Sequence, residues 1–121
     1  NLISNHRLIR SCDALLKNSM FPKALFLTSS VSLKPKSFWG AYSISKAALN
    51  HMIKTWALEN EHNNFSICTV EPGATNTKLR KKAMPGNDVK NLQKPIRVGQ
   101  SIVEIIFSNT IHKGETIELI F

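Results

Sequence analysis

A chain of 121 residues is long enough for one small domain and too short for two. Its hydrophobic share of 42% permits a packed core, yet no apolar run approaches the roughly 18–20 residues of a membrane span. The formal charge of +8 is scattered, and its densest run, Lys78 to Lys82, has no interleaved aromatic residue, which argues against a nucleic-acid stacking platform.

In chain order, Asn1 to Arg7 lacks the basic-then-apolar pattern of a secretory signal. Leu2, Leu8, Ile9, Cys12, Leu15 and Leu16 recur at helical spacing and predict a helix over 2–19. Ala24 to Thr28 is a short, almost wholly apolar run, as in a strand of a parallel sheet buried on both faces, and predicts a strand near 24–29. Residues 30–40, with Pro35 and Gly40, read as a loop. A helix is expected over 41–60, its apolar face wide and its polar strip (Ser43, Asn50, Lys54) narrow. A second buried strand is expected over 65–70, broken by Glu71-Pro72-Gly73. Residues 74–95 are loop-rich with a short helix near 77–83, followed by an amphipathic helix over 97–109 and a third strand over 115–120. Strands alternating with helices predict parallel βαβ units and an α/β layered fold, a doubly wound sheet of about three parallel strands with helices on both faces.

Cys12 and Cys68 form no disulfide framework, and no Cys/His cluster has metal-binding spacing, so no metal site is expected. A cytoplasmic, reducing setting fits this usage. His6, His51, His62 and His112 are scattered and read as surface residues.

Tyr42 and Lys46 stand four apart at the start of a helix, so both side chains lie on one face. An ammonium beside a phenol favours the phenolate, which turns a weak base into a general acid/base. Ser29 ends the preceding strand and Gly73 follows the next, and ligands of open α/β sheets bind at such strand ends. Taken singly, each feature also has a plain reading as a surface pair or a turn; their joint order and spacing carry the weight.

That set resembles the catalytic half of the short-chain dehydrogenase/reductase family. Ser29 stands thirteen residues before Tyr42; Thr28-Ser29-Ser30-Val31, Trp39-Gly40-Ala41-Tyr42, Ser45-Lys46-Ala47-Ala48-Leu49 and Val70-Glu71-Pro72-Gly73 are typical of the family, and Asn1-Leu2 lies 41 residues before Tyr42. Within the family, Trp39 to Tyr42 and Pro72 to Thr77 look most like bacterial oxidoreductases of the YciK type. The resemblance implies an oxidoreductase that interconverts a carbonyl and an alcohol by hydride transfer with NAD or NADP. Tyr42 would be the acid/base, and Lys46 would hold the nicotinamide ribose. Ser29 would bind the substrate oxygen and Asn1 a relay water. Pro72, Gly73, Thr75 and Thr77 would line the cofactor. It also implies self-association through the helices at 2–19 and 41–60.

No Thr-Gly-x-x-x-Gly-x-Gly turn and no Asn-Asn-Ala-Gly element is present. Residues 1–121 are therefore expected to be the C-terminal half of a Rossmann-fold domain without its dinucleotide-binding half, which leaves the first strand at a sheet edge. A second reading follows: a truncated chain without catalysis, at most an association module. The small-molecule substrate is not encoded in any readable way, and the choice between NAD and NADP belongs to the absent half.

Overall fold

A computed structural model describes residues 1–121. Helix α1 (Leu2–Lys17) leads to strand β1 (Lys23–Leu27), a 3-10 turn over Ser30–Ser32, helix α2 (Gly40–Glu59) and strand β2 (Ser66–Glu71); helix α3 (Lys78–Ala83), helix α4 (Pro95–Phe107) and strand β3 (Lys113–Glu118) follow. The strands form one parallel sheet in the order β1-β2-β3, as the alternating pattern predicts. Every predicted helix and strand is present.

The core lies where α1 and α2 cross the sheet. Leu49, Ile53 and Ala57 of α2 are almost fully buried with Phe65 and Ile67, and Ile9 of α1 closes the cluster. Trp56 packs edge-on against both Phe26 and Phe65. The wide apolar face of α2 is larger than this contact uses, and Ile44 and Leu58 remain exposed. The polar strip is narrower than expected, because Asn50 is buried and its amide Nδ2 donates to Ser32 Oγ at 2.8 Å.

Strand β3 begins two residues before its expected start. Gly114 holds φ +94°, and a Cβ there would come within 3.0 Å of the Ala57 Cβ and 3.2 Å of the Lys54 Cα. Only glycine lets β3 pass this close beneath α2. The ladder register shifts between Ile67 and Thr69, and the Lys113 ammonium turns back to the carbonyls of Asn60 and Asn63 past the end of α2.

Strand β1 lies at the edge of this sheet, and its residues are only partly buried apart from exposed Leu27, where the apolar run predicts burial on both faces. Its pairing with β2 sets Leu27 opposite Val70, and Thr28 N–H donates to the Val70 carbonyl at 2.8 Å. The two strands thus end side by side, which places the segments after them at one edge.

Candidate active site

Ser29 and Pro72-Gly73 leave that shared carboxyl-terminal edge. Ser29 has an extended backbone (φ −156°, ψ 151°), is half-buried, and its carbonyl accepts from Ser32 N–H as the 3-10 turn begins. Ser43 Oγ donates to the Val31 carbonyl at 2.6 Å, tying this turn to the first turn of α2. These bonds fix the start of α2, and with it Tyr42, against the end of β1.

Tyr42 and Lys46 meet as the helical spacing requires, with the ammonium 5.9 Å from the centre of the phenol ring. Lys46 Nζ donates to the Leu27 carbonyl at 2.8 Å, two residues before Ser29. Burial pushes the Lys46 ammonium below its ordinary value. One of its three donors is used by Leu27, so two can reach a diol or a carbonyl.

Beyond β2, Gly73 takes φ +68°, and the nearest atom to a Cβ placed there is the Leu119 carbonyl oxygen at 4.0 Å. Glycine is thus required by backbone conformation rather than by crowding. Gly73 N–H donates to Glu71 Oε1 at 3.1 Å, and Thr75 Oγ1 lies 3.4 Å from the Pro72 carbonyl and 3.3 Å from that of Gly73. The segment is braced by Gln93, whose N–H donates to Ala74 and whose carbonyl accepts from Asn76 N–H, both at 2.9 Å. Thr77 Oγ1 caps α3 by accepting from Arg80 N–H at 3.1 Å. Asn1 is exposed, and its side chain makes no capping bond to α1. Its neighbour Leu2 shares a groove with Ala47 and Ala48.

Two features were not assigned a role from the sequence. Asn76 Oδ1, in the segment after Gly73, and Arg80 Nε of α3 are buried without hydrogen-bond partners. The Trp39 indole packs against Tyr42, with ring centres 5.9 Å apart. The Asn76 signal was present as a polar residue between two threonines, and the Trp39 signal as an aromatic three residues before Tyr42.

These residues suit the nicotinamide end of a dinucleotide. Lys46 keeps two donors beyond its bond to the Leu27 carbonyl. The bound cofactor would supply the hydride. No turn of this chain offers the successive glycines that a pyrophosphate needs.

The family model of the short chain dehydrogenases matches residues 1–88. Benzil reductase ((S)-benzoin forming) of Saccharomyces cerevisiae is 37% identical over 82 residues, 67% of this chain and 31% of that protein. The uncharacterised oxidoreductase YciK of Escherichia coli is 32% identical over 95 residues, 78% of this chain and 37% of that protein. Among solved structures, a short chain dehydrogenase of Shigella flexneri complexed with NADP superposes with TM-score 0.87 at 26% identity, over 94% of this chain and 48% of that one. The chain belongs to the short-chain dehydrogenase family, a family of oxidoreductases that use NAD or NADP, and it is similar to YciK. It spans about half the length of the solved structures it matches.

Proposed function

We propose that residues 1–121 are the catalytic half of a short-chain dehydrogenase domain, acting in carbonyl–alcohol interconversion with NAD or NADP. The observation that carries this reading is Lys46: half-buried, 5.9 Å from the Tyr42 ring and bonded to the carbonyl of Leu27, the last residue of β1, two residues before Ser29. In carbonyl reduction, the substrate oxygen takes a proton from the Tyr42 hydroxyl while the carbonyl carbon receives hydride. Ser29 donates a hydrogen bond to that oxygen. Lys46 holds the ribose and stabilises negative charge left on Tyr42. Asn1 holds a water through which that proton is replaced. Pro72, Gly73 and Thr75 would line the nicotinamide, with Thr77 near its carboxamide or the phosphates. The benzil reductase relative suggests a diketone as the first substrate to try.

We further place the chain in the cytoplasm, where the free thiols of Cys12 and Cys68 persist. It associates with a second copy through α1 and α2, where an open apolar groove of about 620 Å3 is lined by Leu2, Ile3, Ala47, Ala48 and Met52 together with His6 and His51.

Joining this chain behind the nucleotide-binding half of YciK tests the reading. The chimera is expected to oxidise NADPH in the presence of benzil, and Tyr42→Phe to lower kcat by about 10²–10⁴-fold. A folded, NADPH-binding chimera whose reductase activity is unchanged by Tyr42→Phe would refute it.

A further inference from the structure

Two unfavourable local choices precede Tyr42. Phe38 takes a left-handed backbone, φ +68°, and its side chain is fully exposed. Trp39 then occupies the N-cap of α2 with no side-chain capping bond. An indole has no acceptor to offer the first-turn N–H groups, so the position lacks the Ser, Thr, Asp or Asn that a helix start favours. Broken local rules are expected where a site demands them.

The demand is visible in the contacts. Trp39 N–H donates to the Lys36 carbonyl at 3.1 Å, closing a turn whose third residue is Phe38. The Lys36 ammonium lies 4.8 Å from the centre of the Trp39 ring. The indole meets the Tyr42 ring edge-on, its plane at 69°. Tyr42 is thus flanked by Trp39 one turn before it and Lys46 one turn after it.

We propose that Trp39 is a positioning residue for Tyr42, its indole holding the phenol in one rotamer beside Lys46. The inference rests on the reading of Tyr42 as the acid/base and adds the residue that aims it. The strained turn at Phe38 brings the indole into place, and the Lys36 cation holds its face.

Tyr42 is the only tyrosine of the chain, so NMR of ring- and β-labelled tyrosine reads it alone. In the unsubstituted chain, Tyr42 is expected to show one χ1 rotamer and Overhauser contacts to the Lys46 side chain. In Trp39→Leu the χ1 couplings are expected to average and those contacts to weaken at least about twofold, while Trp39→Phe restores both. A merely structural role would lower stability in each variant without altering the Tyr42 couplings. The remaining tryptophan, buried Trp56, reports folding by fluorescence. If Trp39→Leu unfolds, Trp39→Met, which keeps apolar volume without a ring, is read in its place with the same expectation. A folded Leu or Met variant in which Tyr42 keeps its single rotamer and its Lys46 contacts overturns the Trp39 proposal alone. Absence of those contacts in the unsubstituted chain overturns both this proposal and the acid/base reading.

Discussion

The Trp56 indole donates from Nε1 to Asp13 Oδ1 at 2.8 Å, so the helix that carries Tyr42 and Lys46 is pinned to α1 by a charged acceptor. The hydrogen bond from Lys17 is the main cause that holds the Asp13 carboxyl below its ordinary value of 3.8; desolvation opposes it, and Trp56 and the Lys17 charge add to it. The folded value lies below the unfolded one. The stabilisation is therefore full above the unfolded value and fades as pH falls through the folded value.

Asp13→Asn should cost about 1 kcal/mol at neutral pH and flatten the acid limb of the stability profile. Urea unfolding between neutral pH and about pH 3 measures both. An acid limb as steep as that of the unsubstituted chain would show that Asp13 is not the group responsible.

Phe38→Gly should stabilise the chain. A left-handed non-glycine residue costs roughly 1–2 kcal/mol, partly offset by the greater freedom of glycine when unfolded, which leaves a gain of about 0.5–1 kcal/mol. The exposed ring forfeits little burial. A lower Tm for Phe38→Gly would mean that the Phe38 side chain supports the fold through contacts of its own.

The Cys68 thiol is pushed up to about 11, first by burial and then by the Glu115 carboxylate, and its side chain is sealed within β2. Cys12 on α1 is half-exposed. Ellman's reagent near neutral pH should therefore titrate one thiol promptly and the second about a hundredfold more slowly or less. The slow phase should merge with the fast one as urea unfolds the sheet. Two equally prompt thiols in the native chain would show that β2 opens readily.

The sheet was legible because β1 and β2 are largely apolar runs between helices of clear period, and the Tyr42–Lys46 pair because four residues make about one helical turn. The start of β3 was not, because Lys113 and Gly114 look like turn residues; only the approach of Ala57 and Lys54 explains a glycine inside that strand. Asn50 was read as part of a solvated strip, although it is buried against Ser32 from a loop eighteen residues earlier. Local period cannot reveal such a partner. The bond from Lys46 to Leu27 and the orphaned Asn76 oxygen were hidden for the same reason: both depend on the docking of segments far apart in sequence.

The proposed function predicts that this chain holds the nicotinamide end of its cofactor and none of the adenine end. Its most direct test is NMR of the amide-labelled chain titrated separately with reduced nicotinamide mononucleotide and with AMP. Reduced nicotinamide mononucleotide at millimolar concentration should move the resonances of Lys46, Gly73, Thr75 and Asn76, and Lys46→Met should abolish the response. AMP should move none of them, and NADPH should show no saturable binding in the micromolar range, because the adenine and pyrophosphate contacts are missing. Shifts from the nicotinamide nucleotide that map to the α1–α2 groove instead, or an equal response to AMP, would contradict the account.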